Sequence, residues 1–288
     1  MKHPIEHAAD AWLAAESSGT AFEASGEWGT ASGTITAPAN AGKRGWLMGA
    51  LRSESAPTVV LVVPNLPGLE NDEPRAVIED AMSAGFIRGG AHVARVREFT
   101  LRASAYEDAS AYVDAALGMA AAALAALSGA RLALAGVGLA GATAAAASGQ
   151  RTDVVCLALV AAPAPEILCR RTPDDEDDGK WKTSKTLRLA ESLSHAAPLE
   201  AIVQQRRPVL LVNGAVDDEL PALHMEAWRA ALAAGGRGVD AVEVAFADSL
   251  LRWCESDGSV VRGATQAHDL LADIVGRWTV RTIRSRSG

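Results

Sequence analysis

The sequence predicts an α/β fold: a doubly wound, mostly parallel β-sheet with helices on both faces. Three observations predict it. Aliphatic runs such as Thr58-Val-Val-Leu-Val-Val63 and Val154–Val160 have no polar alternation, the mark of strands buried on both faces. Helix-length patterns stand between these runs, which reads as βαβ units with right-handed crossovers. The 288 residues are 49% apolar and 22% charged, a globular composition that suits one domain over residues 1–288.

Each element has its own local reason. Pro4–Ala15 reads as an amphipathic helix, with Ile5, Ala8, Ala9, Trp12 and Leu13 at helical spacing. Thr30–Thr36 and Gly45–Leu51 read as a hairpin looped through Ala37–Arg44, because Gly and Pro punctuate them. Thr58–Val63 is a buried strand. Pro74–Gly85 is a helix with Pro in the first turn and Gly at the end. His92–Val96 is a strand, Ala105–Leu127 a long helix with acidic first turns, Arg131–Ala135 a strand and Ala140–Ser148 a small-residue helix. After Val154–Val160 come the strands Pro208–Val212 and Val239–Phe246, separated by the helix His224–Ala234. The last helix is Ala264–Ile283, with Leu270, Leu271, Ile274 and Trp278 on one face.

One stretch breaks the rhythm. Residues 163–198 hold Pro163, Pro165, Pro173 and Pro198, the acidic run Asp174–Asp178, Trp181 and an amphipathic piece, Ser184–Ser194. This predicts a lid or cap insertion within the domain. The acidic run reads as a solvated loop, and Trp181 as a residue packing the insertion onto the body.

Charge and composition exclude several functions. The net charge is −8, with 27 Lys and Arg against 35 Asp and Glu, which argues against a nucleic-acid groove, and the terminal Arg277, Arg281, Arg284 and Arg286 read as a solvated helix end that complements its dipole. About a fifth of the residues are Ala and only five are Lys, as in a bacterial chain from a GC-rich genome. Cys156, Cys169 and Cys254 are widely spaced, form no metal pattern and point to a reducing, cytoplasmic setting. The first residues carry no apolar signal region. The longest apolar stretch, Ala115–Leu127, is mostly Ala and too short for membrane insertion. No metal and no cofactor is expected.

The most informative segment is Arg131-Leu-Ala-Leu-Ala-Gly-Val-Gly-Leu-Ala-Gly-Ala-Thr143. Gly136, Gly138 and Gly141 fill a Gly-x-Gly-x-x-Gly pattern between a strand and a helix. A dinucleotide loop is disfavoured, because the pattern comes in mid-chain and the next strand ends in Ala161-Ala162 with no acid for a ribose. The segment instead resembles the nucleophile elbow of the α/β-hydrolase family, small-x-Ser-x-small, with Gly136 and Ala140 as the small flanks. Gly138 stands where that family has its nucleophile.

Further matches extend the resemblance over roughly residues 28 to 283. Gly214, Asp217 and Pro221 fill the family's acid-loop pattern, which places Asp217 where a carboxylate orients the catalytic His. Thr58–Pro67 is similar to the strand leading into the oxyanion loop, with Pro64-Asn65 in place of His-Gly. By that likeness Asn65, Leu66 and Leu139 line the oxyanion pocket. The chain after the last strand, Ala247-Asp248-Ser249, is similar to Ala-Asp-His, so Ser249 marks a vacant His position. His268 is the His nearest the C-terminus; it falls inside the predicted last helix, and a longer loop would be needed to bring it back to Asp217. His92, His195 and His224 read as surface or packing residues, Cys156 as a core residue, and Ser148 lies at the far end of the elbow helix.

The resemblance therefore implies a triad lacking nucleophile and base, with Gly138 and Ser249 as vestigial positions. It implies a ligand-binding or partner subunit, taking a small apolar or acyl-type ligand or a protein partner. Two alternatives use Asp217 and His268 as catalytic residues: a lyase or isomerase, and an ester or thioester hydrolase activating water. Fold alone does not choose among these.

Overall fold

The computed structural model describes residues 19–38, 56–65, 72–102, 108–168, 184–196, 198–204, 207–216, 222–236, 240–248, 250–255, 259–261 and 268–284. The predicted helix Pro4–Ala15 and strand Gly45–Leu51 lie outside them. The strands are β1 (Thr20–Gly26), β2 (Gly29–Thr36), β3 (Thr58–Val62), β4 (His92–Leu101), β5 (Arg131–Val137), β6 (Val154–Val160), β7 (Val209–Gly214) and β8 (Asp240–Val244). The helices are α1 (Asp72–Arg88), α2 (Ala109–Ala126), α3 (Leu139–Gly149), α4 (Pro165–Leu168), α5 (Ser184–His195), α6 (Pro198–Gln204), α7 (Ala222–Ala234) and α8 (His268–Arg284).

One eight-stranded sheet runs in the order β1-β2-β4-β3-β5-β6-β7-β8. From β4 to β8 every pair is parallel; β1–β2 and β2–β4 are antiparallel. The doubly wound sheet is as the sequence predicts. β2 pairs with β1 and with β4; Gly45–Leu51, expected as its hairpin partner, lies outside the described residues. The strand β1 escaped the sequence reading because its residues Thr-Ala-Phe-Glu-Ala-Ser-Gly lie at the sheet edge and bury only Phe22 fully. β4 is also longer than predicted. Its first residues pair with β3 while most of its length pairs with β2, so the run past Val96 to Leu101 stays in the sheet.

Alternation along the central strands builds two cores. Val59, Leu61, Leu132, Leu134, Leu157, Leu159 and Leu211 face α2, α3, α5 and α7. Val60, Val62, Ala133, Ala135, Ala158, Leu210 and Val212 face Ile78, Met82 and Phe86 of α1 and Leu271, Val275 and Trp278 of α8. Successive residues of one strand feed opposite cores, which is why these runs contain no polar residue. α1 and α8 cross closely through glycine: a Cβ on Gly85 would lie 2.6 Å from the Ala272 carbonyl oxygen. The buried face of α8 includes Leu271, Ala272, Val275, Trp278, Thr279 and Thr282; Leu270, predicted on that face, is 43% exposed.

α2 runs for 18 residues and is apolar enough by length and composition to cross a membrane. Its Tyr112, Val113 and Met119 are buried in the core beside the sheet. Phe99 bridges from Tyr112 to Trp28, with ring centroids 6.4 Å and 6.1 Å apart. The described parts of segment 163–198 join the same helical layer. Leu189, Ala190 and Leu193 of α5 are buried, and Ser192 Oγ accepts the Ala109 N–H at the start of α2 (2.9 Å). Glu166 of α4 accepts the Leu199 N–H of α6 (3.0 Å).

Candidate functional site

The C-terminal ends of β3, β5, β6, β7 and β8 form one rim, where ligands bind in open α/β sheets. Its centre is the turn from β5 into α3. Gly138 caps α3 with φ 61° and ψ −135°, and no side chain caps the helix. That conformation is open to glycine and costs other residues about 1–3 kcal/mol. The turn is tight enough that a Cβ on Gly136 would lie 2.5 Å from the Ala140 backbone, and one on Gly141 2.7 Å from the Ala162 Cβ. The three glycines thus serve three needs: close approach within the turn, the strained central position, and packing against the loop after β6. The Gly138 N–H donates to the Val160 carbonyl (3.0 Å), tying the elbow to β6. Leu139 and Ala140 open α3 fully buried, and their N–H groups belong to a first turn that has no intrahelical acceptor.

Asn65 stands beside this turn. β3 and β5 pair through Val62 and Ala135, and the Val63 N–H extends the ladder to the Ala135 carbonyl (2.8 Å). Three residues further along each strand are Asn65 and Gly138. The Asn65 amide donates to Glu79 Oε1 (2.8 Å) on α1, and its Oδ1 is buried without a partner. Glu79 is in turn approached by Arg95 Nη2 at 3.9 Å, and Arg95 also pairs with Asp80. This polar chain was not evident from the sequence: its members come from three elements and share no spacing. Leu66 lies outside the described residues.

On the other side of the elbow, the acid loop and the loop after β8 are stitched together. The Ala215 N–H donates to Val244 (3.0 Å) and the Val216 N–H to Ala247 (2.9 Å). Gly214 is required here, since a Cβ would lie 2.1 Å from the Asp248 carbonyl oxygen. Asp217 and Ser249 each follow one residue after these contacts and lie outside the described residues. Asp248, 9% exposed, folds the loop. Its Oδ1 accepts the N–H groups of Leu250 (3.0 Å) and Arg252 (2.8 Å), and its Oδ2 accepts Arg252 Nε (2.6 Å).

Three non-glycine residues have positive φ among the described residues: Ala161 (48°), Phe246 (55°) and Leu251 (52°). All three follow β6 or β8 at the rim. Among the described residues, left-handed backbone carried by side chains other than glycine gathers at this rim.

His224 is a buried packing residue, 2% exposed. Its Nδ1 accepts the Ala164 N–H (3.0 Å), which places its proton on Nε2 in the neutral ring. Trp228, one turn later on α7, donates to the Ala162 carbonyl (2.8 Å). Together they pin the loop after β6 that packs on Gly141. The i, i+4 spacing of His224 and Trp228 was the signal available in the sequence. His92 lies at the opposite end of the sheet, where burial holds its imidazole below the ordinary value. Cys156 is a buried core thiol, and Ser148 is buried with its Oγ on the Ala145 carbonyl (2.7 Å). His268 is the first described residue of α8; residues 262–267 before it lie outside the described residues. Nothing described brings it to Asp217. Among the described residues no group of three or more His, Cys, Asp or Glu gathers as a metal site.

No family model matches the sequence, and no curated protein matches it either. Solved structures do match its fold. The esterase Est1E from Butyrivibrio proteoclasticus superposes with a TM-score of 0.62 at 13% identity, covering 93% of this chain and 100% of its own. The esterase domain of a Rhodothermus marinus protein gives 0.57 at 15% identity, covering 90% and 96%. An α/β serine hydrolase without lid from Xanthomonas campestris gives 0.55 at 15% identity, covering 93% and 94%. The strand order, the glycine-capped turn after β5 and these neighbours agree that the chain has the α/β-hydrolase fold.

Proposed function

We propose that this protein is a hydrolase-fold pseudoenzyme, a non-hydrolytic ligand-binding or partner subunit with a degenerate triad. One observation carries the reading: the elbow conformation is kept, φ 61° and ψ −135°, at a residue with no side chain. A nucleophile there would be Ser or Cys activated by a base; Gly138 has no atom to attack with. Ser249, in the position that the resemblance assigns to the His, offers no general base. What remains is a rim of backbone donors at the start of α3, suited to hold a carbonyl or acyl group without cleaving it, with the Asn65 Oδ1 beside it as an acceptor. The ligand class in this reading is small and apolar or acyl, with a protein partner as the other role. Cytoplasmic residence fits the buried thiols of Cys156 and Cys254.

The test uses a fluorophosphonate probe and a panel of p-nitrophenyl esters. The expected result is no adduct on the elbow peptide and hydrolysis no faster than buffer. Stoichiometric labelling at any residue would overturn the reading, because it would reveal a nucleophile elsewhere. A second reading rests on the sequence likeness alone: Asp217 fills the acid-loop position and His268 is the His nearest the C-terminus. An Asp217–His268 pair would then serve proton transfer in a lyase or isomerase, or activate water on an ester or thioester. Under that reading His268→Ala removes an activity that Gly138→Ala leaves standing.

A further inference from the structure

A second concavity lies at the opposite end of the sheet from the elbow. It is a groove of about 460 Å³ between the start of β8 and the later turns of α8, of ordinary size for a small-molecule site. Leu210, Val242, Ile274 and Trp278 form its apolar lining, and Asp240, Arg277 and Arg281 its polar part. The polar groups are unequally occupied. Asp240 accepts Trp278 Nε1 (3.0 Å) on one oxygen and Arg281 Nη2 (2.6 Å) on the other, so both of its oxygens are engaged. Arg277 is exposed and has no ion-pair partner among the described residues. Among the described residues β8 is the last strand of the sheet on this side.

We propose that this groove is a ligand site for an organic anion with an apolar body, distinct from the elbow site. The apolar part lies against the half-buried Val242 and Ile274, and the anionic head pairs with Arg277. The complementarity is one of charge: the chain has net charge −8, yet among the described residues lining this groove the charge without an ion-pair partner is the Arg277 guanidinium. Such a group presents planar paired donors that match a carboxylate or phosphate. The adjoining Asp240–Arg281 pair is internally neutral and fixes the groove wall, with the Trp278 indole hydrogen-bonded into it.

The experiment titrates the full-length protein with octanoate, octyl phosphate, octan-1-ol and inorganic phosphate. Binding is read by calorimetry and by the indole N–H resonance of Trp278, assigned with Trp278→Phe. Saturable binding of octanoate or octyl phosphate with a shift of that resonance is expected; the stronger of the two identifies the head group. Octan-1-ol and inorganic phosphate bind at least about tenfold more weakly, each lacking half of the recognition. Arg277→Glu, an exposed change that leaves the fold intact by thermal melt, weakens the anion at least about tenfold, and Arg277→Lys retains part of it. Absence of saturable binding overturns the proposal. So does binding that is indifferent to Arg277→Glu and silent at Trp278, which would place the anion elsewhere.

Discussion

The turn after β5 and the turn after β8 face each other across β6 and β7, and they bear strain differently. At the first, a forbidden backbone is given to Gly138, which accepts it at no steric cost. At the second, Phe246 and Leu251 hold positive φ with full side chains, and Asp248 and Arg252 clamp the loop between them. The first turn thus takes a demanding conformation without strain, and the second carries a costly one on residues with side chains. A loop bonded through Ala247 to the acid loop and through Cys254 to Phe246 is held by its neighbours as much as by any reaction.

The largest expected effect breaks the frame after β8. Asp248→Ala removes four hydrogen bonds or ion-pair contacts at one buried carboxylate and leaves the Leu250 and Arg252 N–H groups without it. A loss of about 2–4 kcal/mol is expected by denaturant titration. A loss below about 0.5 kcal/mol would mean that the loop is not rigid and that the contrast between the turns is empty.

Next comes the elbow itself. Gly138→Ser is expected to cost about 1–3 kcal/mol, since serine must take the conformation glycine accepts freely. Its esterase rate on a short-chain activated ester should stay near background, because a hydroxyl without a base is a poor nucleophile. Combined with Ser249→His, the rate should exceed that of either single change. A competent esterase from Gly138→Ser alone would show that a base such as His268 is already in place.

These two turns also show what was legible in the sequence. The central strands and the elbow were readable because each is local: a buried strand needs only its own aliphatic run, and the turn needs small residues at fixed spacing. Val154–Val160 was placed residue for residue. Elements whose reason lies elsewhere in the chain were missed. β1 is polar and becomes a strand only by pairing with β2. The short helices α4 and α6 have no periodicity of their own; α6 is held by the Glu166 carboxylate at Leu199. At the site, the Asn65–Glu79–Arg95 chain and the Asp248–Arg252 clamp are non-local or disguised as a solvated pair, so spacing did not reveal them.

A smaller effect sharpens the contrast at the second turn. Phe246 is 60% exposed, so Phe246→Gly gives up little burial while relieving a positive φ. The strain relieved exceeds the added freedom of the unfolded chain, and a gain of about 0.5–1 kcal/mol is expected in thermal melts. A loss instead would mean that the Phe246 ring is held by contacts that outweigh its backbone.

The smallest effect lies outside both turns and separates them from a general acid response. Burial holds His92 below its ordinary value of 6.5. The folded state therefore disfavours the imidazolium, and the unfolded state takes up a proton first as pH falls. Stability from this group is complete above about pH 6.5 and declines as pH drops toward the depressed folded value. His92→Gln, which cannot titrate, should flatten the melting temperature across that window while leaving the effects of Asp248→Ala and Phe246→Gly unchanged. His92 begins β4 at the end of the sheet away from the rim, so its contribution should add to theirs without coupling. If His92→Gln left the acid slope intact, the proton would be taken up by a group other than His92.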